Sequence, residues 1–342
     1  MKLTRILVAL ALLAGMAGLA YVAQQVESPG LKMAAAAQKF LGSLSPEQKT
    51  KAAFDFDSKE RTRWFFVPLQ DANRKPTRKG LPLEEMTADQ KKAALALVAA
   101  GTSAQGNKQA LTIMSLEAIL RDQEKKGAMV RNPDWYFFSI FGTPSKTGKW
   151  GWRVEGHHLS LNFTMDGGQV LAATPSFYGA NPAEIKGGPN KGLRILGQAE
   201  DLAFQLFKAL DADQKKIAHQ PKQFKEIEQA KITPPAREPV GLAAAKMTEE
   251  QRGILMKLLR AYTNRMPEEI AAAEWKHVKE GGIDKIHFAF AGADELGKAH
   301  TYRIQGPSFV VEFLNEQGDS AGNRANHIHS VWRKTKGDFG IN

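Results

Sequence analysis

The chain has 342 residues, is 43% hydrophobic and 24% charged, and carries a formal net charge of +11. This balance supports a folded core and excludes an intrinsically disordered protein. The absence of cysteine excludes disulfide bonds and excludes a thiolate as metal ligand or nucleophile. Because the basic residues are scattered among acids and prolines, we expect a solvated surface and no nucleic-acid partner.

The N-terminus has the pattern of an export signal. Lys2 and Arg5 precede an acid-free apolar run, and the small residues Gly18 and Ala20 fit a cleavage site. We therefore expect a signal peptide at residues 1–20 and a periplasmic or extracellular protein. The alternative is an uncleaved N-terminal anchor, with no other membrane insertion. Residues 21–44 are interpreted as a lead-in segment and residues 45–342 as a single domain.

Four short segments predict helix starts. Ser45, Thr87, Asp211 and Thr248 each stand three residues before a glutamine, with acids in what would be the first helical turn. This is the capping-box pattern, in which both side chains satisfy free backbone N–H groups. Capping chemistry alone would make the four segments similar, so the similarity is not taken as evidence of a duplication.

Helical and strand patterns alternate in blocks along the chain. Helices are predicted over 87–101, from about 108 to 120, over 193–210, and after residues 211, 248 and 267. Strands are predicted over 134–141, 150–164, 169–174, 285–291, 300–305, 309–314 and 328–333. This order predicts an α+β fold in which helices pack on a largely antiparallel sheet shared by both groups of strands. Residues 220–239 read as a linker or surface excursion.

Four of the eight histidines lie in two strand-like strings, WGWRVEGHHLSLNFT (150–164) and NHIHSVWR (326–333). Side chains alternate between faces along a strand, so only one of His157 and His158 can point into a shared site. Polarity favours His158, whereas Glu155 on the same face favours His157.

The second string suggests metal ligands. His327 and His329 would point the same way from one strand and could bind one ion, aided by His157 or His158 and by Glu312 from the preceding strand. A site of imidazoles without thiolates suits zinc, copper or iron. The alternative is that these histidines only form hydrogen bonds within the sheet.

The sequence says less about the substrate and the reaction than about the metal. Arg153 and Arg333 are candidates for binding an anionic substrate group, because a guanidinium matches a carboxylate. The sequence contains no H-E-x-x-H, no G-x-S-x-G and no phosphate-binding glycine loop. The leading hypothesis is an exported metal-dependent enzyme, hydrolytic or oxidative. The alternative is a non-catalytic binding or envelope protein, and in either case the ligand is an unidentified small molecule or polymer.

Three strings together resemble a bacterial exported family catalogued as domain of unknown function 3500. They are residues 150–164, the segment RIQGP (303–307), and NHIHSVWR (326–333) followed by DFG (338–340). The similarity runs from about Ser45 to the C-terminus. It implies one domain and an exported location, and it implies no particular activity or cofactor.

Overall fold

The computed structural model describes residues 27–125, 127, 129–234 and 238–341. The predicted export signal lies outside these residues. Within the described ranges, no helix is long and apolar enough to cross a membrane.

The four predicted capping boxes are confirmed: Ser45, Thr87, Asp211 and Thr248 each cap a helix and exchange hydrogen bonds with the glutamine three residues later. The described residues form eight α-helices: α1 (Pro29–Gly42), α2 (Pro46–Ala52), α3 (Ala88–Gly101), α4 (Ala104–Glu124), α5 (Gly197–Ala209), α6 (Ala212–Ala218), α7 (Glu249–Thr263) and α8 (Glu268–Gly281).

One sheet contains both groups of strands, as predicted, and among its named strands the pairing of β1 with β3 is the parallel one. The strands are β1 (Ala53–Phe54), β2 (Leu81–Pro82), β3 (Phe137–Phe141), β4 (Lys149–Gly156), β5 (Leu159–Asp166), β6 (Gln169–Ala172), β7 (Ser176–Ala180), β8 (Leu242–Ala243), β9 (His287–Gly292), β10 (His300–Gln305), β11 (Phe309–Gln317) and β12 (His327–Lys334). Their order is β1-β3-β4-β5-β7-β12-β11-β10-β9-β8, while β2 pairs with β3 and β6 with β5.

Besides the two-residue strands β1, β2 and β8, which were not predicted, three elements differ from the sequence interpretation. The predicted strand over 150–164 is a hairpin, because the chain turns between Gly156 and Leu159. Strand β7 was not predicted, since prolines and a glycine surround its few apolar residues. Helix α1 lies within the interpreted lead-in, where Met33, Ala37 and Phe40 are fully buried.

The element order repeats within the chain. Apart from strand β1, which lies between α2 and β2, the series α1-α2-β2-α3-α4-β3-β4-β5 is followed by the corresponding series α5-α6-β8-α7-α8-β9-β10-β11. Equivalent residues of the strands lie 150 positions apart: Arg153 pairs with Asn162 in the first hairpin, and Arg303 pairs with Glu312 in the second. The last strand of each half, β7 and β12, pair antiparallel at the centre of the sheet. The fold therefore consists of two similar halves.

The capping glutamines show the same repetition. Gln48 and Gln90 exchange two side-chain hydrogen bonds of 3.0 and 2.8 Å, and Gln214 and Gln251 do the same at 3.0 and 2.8 Å. Each pair ties a short helix to a longer one in its own half. The similarity of the capping segments thus reflects repeated architecture, and the explanation from capping chemistry alone was incomplete.

Apolar side chains occupy both faces of the sheet. The larger cluster joins strand and helix residues; for example, the Trp152 indole N–H donates to the Met33 sulfur at 3.2 Å. The smaller cluster lies on the other face and contains Trp64, Phe66, Phe177, Ile227, Leu314, Val331 and Phe339. The Phe66 ring meets the ring of His329 edge-on at 5.0 Å, so this smaller cluster supports the histidine site described below.

The paired glutamines give the first prediction. Replacing the buried Gln90 by alanine removes its bonds to Gln48, to the Ser43 carbonyl and to the Thr87 N–H. We expect a loss of about 1–3 kcal/mol in the free energy of unfolding. Gln251→Ala should cost a similar amount, because Gln251 makes the corresponding bonds in the second half.

Urea unfolding followed by circular dichroism measures both changes. Gln123→Ala, at an exposed position of α4, is the control and should be nearly neutral. Equal stabilities of Gln90→Ala and Gln123→Ala would contradict the assignment.

Candidate metal centre

A tight turn between β4 and β5 presents one histidine to the site. His158 has a φ of 61°, a left-handed conformation that is uncommon for residues other than glycine. Its backbone N–H donates to the Phe66 carbonyl at 2.8 Å, and its carbonyl accepts from the Gly179 N–H at 2.8 Å. These bonds hold the unfavourable backbone conformation, and strain of this kind concentrates at functional sites.

Strand β12 presents two more histidines beside an irregularity in β11. The pairing of β11 with β12 shifts register between Leu314, opposite His329, and Gln317, opposite His327. The extra residue makes a β-bulge, a feature that re-aims side chains and is common beside active sites. Within the bulge, the Asn315 side-chain oxygen accepts a hydrogen bond from the His327 backbone N–H at 3.1 Å.

The Nε2 atoms of these three histidines converge. His158 and His327 are separated by 2.8 Å, His158 and His329 by 3.2 Å, and His327 and His329 by 3.0 Å, each measured between Nε2 atoms. A zinc ion bonds to imidazole nitrogen at about 2.0–2.1 Å, so one ion about 1 Å above this triangle would reach all three atoms. The group can therefore hold a metal ion.

Two of the rings are held in the neutral form that binds metals. Burial, together with the charges of neighbouring histidines, lowers the pKa of His158 well below its usual value. The same causes lower the pKa of His327 to about 3, despite a hydrogen bond to the backbone of Gly318. A histidine must be deprotonated at the ligating nitrogen, so these shifts favour coordination.

Glu226 orients His329 from outside the triangle. Its Oε2 lies 2.8 Å from His329 Nδ1, which places the proton on Nδ1 and the lone pair on Nε2. Burial would raise the pKa of Glu226, but the hydrogen bond and charge of His329 outweigh burial and lower the pKa. Carboxylates in this position are the usual second partners of metal-bound histidine.

Asn181 stands in the corresponding place beside His327. Its Nδ2 lies 3.4 Å from His327 Nδ1, and its buried Oδ1 has no partner among the described residues. Rotating the amide by half a turn would bring Oδ1 against a protonated Nδ1. That arrangement would satisfy the buried oxygen and leave the His327 Nε2 lone pair to a metal.

His157 lies next to the triangle but outside it. Its Nδ1 contacts the carboxylate of Glu117 and lies 3.3 Å from the Arg131 guanidinium. Its ring stacks on His158, with ring centroids 3.7 Å apart. Because the two histidines form a turn, the alternation of faces along a strand does not apply to them. His158 joins the two downstream histidines, and His157 packs against it.

The other three sequence candidates lie elsewhere. Glu312 pairs with Val331, which is the next residue after His329 on the same face of β12. The Glu312 carboxylate binds Arg303 at 2.5 Å. The guanidinium of Arg153 is fully buried between Glu60, at 2.7 Å, and Glu155, at 3.2 Å.

The guanidinium of Arg333 also has hydrogen-bond partners. Its Nε donates to Asp338 at 2.8 Å and its Nη2 donates to the Lys231 carbonyl at 2.8 Å. Neither Arg153 nor Arg333 is placed beside the three histidines, and both guanidinium groups already have carboxylate partners. Sequence reasoning missed Glu226, Asn181 and Glu117, because none of them belongs to a motif or lies near a histidine in the chain.

The fold and site define an α+β protein with a buried three-histidine group that can hold a metal ion. Residues 27–341 match the family model described as protein of unknown function (DUF3500), and the chain belongs to that family. No curated protein and no solved structure matches the chain.

The contact between Glu226 and His329 yields a prediction about metal affinity. Glu226→Ala should weaken metal binding about 10- to 100-fold, because His329 loses the group that fixes its tautomer and orientation. Glu226→Gln should recover part of the loss, since its amide oxygen can still accept from Nδ1. Competition with a chromophoric chelator measures the affinity. Lys225→Ala, exposed in the same segment, is the control, and equal affinities of the alanine variants would refute the role of Glu226.

The lowered pKa values predict acid sensitivity of the metal-free protein. Unfolded histidines bind protons below about pH 6.5, whereas His158 and His327 remain neutral in the fold. The unfolded state then binds more protons, so the free energy of unfolding should decrease as the pH falls from 6.5 towards 4. In His327→Leu this decrease should be shallower, as measured by urea unfolding with a chelator present. An identical slope in both proteins would contradict the shift.

Proposed function

We propose that the protein is an exported, metal-dependent enzyme whose ion is held by His158, His327 and His329. The observation that carries the proposal is the convergence of three Nε2 atoms within 3.2 Å of one another. Zinc fits this donor set best, and copper and iron are the other candidates. Export is supported by the N-terminal sequence pattern.

The number of ligands favours a catalytic ion over a structural one. Structural zinc sites generally have four protein ligands, whereas catalytic sites have three and keep a position for water or substrate. In the described part of the chain, the ligand group contains three histidines and no carboxylate or further side chain. One position would therefore remain open.

The charges around the triangle also favour a divalent cation. The nearby carboxylates are Glu117 beside His157, Glu226 beside His329, and Glu124. Arg131 is the cation among them and pairs with Glu124. Glu226 thus places negative charge against the His329 ring, and Glu117 places it against His157, which stacks on His158; both favour a bound cation.

When bound, such an ion supplies a Lewis acid and lowers the pKa of a bound water, which suits hydrolysis. The protein contributes three neutral ligands in a fixed arrangement. Glu226 keeps the His329 proton on Nδ1, the Phe66 ring packs against the edge of that imidazole, and the His157 ring packs against His158. These contacts restrict the movement of the ligands.

A structural role is the second candidate, and one observation favours it. His158 belongs to the first half of the fold, whereas His327 and His329 belong to the second. A bound ion would therefore link the halves across the pairing of β7 with β12. Such a protein would bind metal without catalysis, as expected for a binding or envelope protein.

Metal content tests the proposal directly. Elemental analysis of the purified full chain should show about one equivalent of a transition metal. His158→Asn should lose it, and asparagine tolerates the left-handed backbone at this position. His277→Asn, at an exposed histidine of α8, is the matched control and should keep the metal. A wild-type protein that remains metal-free after exposure to zinc, copper and iron would refute the site.

The wild-type full chain can also be used to distinguish a catalytic metal ion from a structural one. Cobalt substitution makes the coordination visible, and added imidazole should change the visible spectrum if one position is open. A spectrum unaffected by imidazole, with a large loss of stability on chelation, would instead support the structural role.

A further inference from the structure

We infer that Glu200 and Asn315 are positioning residues for the three-histidine site and that they act on it through the backbone of His327. This inference rests on the proposed metal site. It extends that site by a buried polar bridge, formed by Arg194, Glu200 and Asn315, which runs from the start of α5 to the first residue of β12.

The centre of the polar bridge is a buried carboxylate. Glu200 lies in the first turn of α5 and is 3% exposed. Its Oε2 accepts from the Arg194 guanidinium at 2.6 Å, and its Oε1 accepts from the Asn315 Nδ2 at 2.7 Å. His300, which pairs with Asn315 from the neighbouring strand, has its Nε2 3.4 Å from the same Oε1. Three side chains therefore hold this carboxylate in place.

The carboxylate of Glu200 determines which way the Asn315 amide faces. A carboxylate accepts hydrogen bonds, so the Nδ2 group of Asn315 must face it. The amide oxygen is then left for the His327 N–H, from which it accepts at 3.1 Å. A reversed amide would turn its own N–H groups towards the His327 N–H, and two donors cannot bond to each other. Glu200 thus fixes the acceptor that holds the His327 backbone.

The first half of the fold has apolar residues where the second half has this polar pair of strand residues. His300 pairs with Asn315 between β10 and β11, and the residues 150 positions earlier, Trp150 and Met165, pair in the same way between β4 and β5. Both Trp150 and Met165 are fully buried in the larger apolar cluster. The repeated frame therefore folds with an apolar pair at this position.

The helix residue of the polar bridge also has an apolar counterpart. Glu200 stands eleven residues before the capping residue Asp211, and the buried Ala34 stands eleven residues before the corresponding capping residue, Ser45. Replacing buried polar groups by apolar ones is often neutral or stabilising, so folding alone does not account for the polar bridge. The bridge ends at His327, in the half that supplies two of the three histidines.

The test gives the second half the residues of the first. In the double variant Glu200→Ala with Asn315→Met, the His327 N–H loses its side-chain acceptor. We expect the affinity for zinc to fall about tenfold, at the lower end of the range for groups that orient metal-bound histidines. Competition between the full chain and a chromophoric chelator measures it. The urea midpoint of the metal-free double variant should not fall, since both partners of the buried contact are removed together.

Two single variants separate positioning from a general loss of structure. Glu200→Gln keeps an acceptor for the Asn315 amide and should retain most of the zinc affinity. Asp201→Asn is the matched control, because Asp201 binds the same Arg194 guanidinium at 2.7 Å but is 55% exposed and lies outside the polar bridge. It should leave the zinc affinity unchanged.

Three outcomes would overturn the inference. Equal zinc affinities of the wild type and the double variant would leave the metal site intact and remove the role of Glu200 and Asn315. A double variant that is unfolded without metal would assign the polar bridge to the stability of the fold instead. A wild-type chain that binds no zinc would overturn the proposed site itself, and the inference with it.

Discussion

The antiparallel pairing of β7 with β12 is the contact on which the rest of the structure depends. It joins two halves that each continue outwards as a hairpin and helices, so all other strands extend from this central pair. This pairing also fixes the relative positions of the three histidines. Gly179 of β7 bonds the carbonyl of His158, and the residue that pairs with Gly179 across the seam is His329. The turn and the strand therefore present their histidines at one place.

Bringing three imidazoles together has an energetic cost that the fold must offset. Burial removes water from the ring nitrogens, and three lone pairs facing each other cannot all find donors among themselves. The surrounding contacts offset part of the cost: Glu226 binds one ring, Asn181 lies beside another, and Phe66 packs against an edge. A cation at the triangle would offset a further part of the cost, because it would satisfy the three lone pairs at once.

The sequence predicted those features that depend on local chemistry. The capping boxes at Ser45 and Thr248 are local patterns, and the histidine pair at His327 and His329 needs only the period of one strand. The single sheet shared by both strand groups depends on distant pairing and was predicted, but two other features of that kind were missed. The turn at His158 has a left-handed backbone, which is held by a hydrogen bond to Phe66, a residue distant in the chain. Glu226 contacts His329 from a segment that has no helical or strand periodicity.

The repeat explains why one three-histidine group, rather than two, arises from this frame in the described part of the chain. The turn residues His157 and His158 correspond, 150 positions later, to Pro307 and Ser308, which cannot ligate a metal as imidazoles do. Equivalent positions elsewhere in the two hairpins have also diverged, since Asn162 bonds the Pro175 carbonyl whereas Glu312 binds Arg303. Each half keeps the backbone frame, and the three histidines are divided between them, one from the first half and two from the second. Because neither half holds all three histidines, the group forms where the two halves meet.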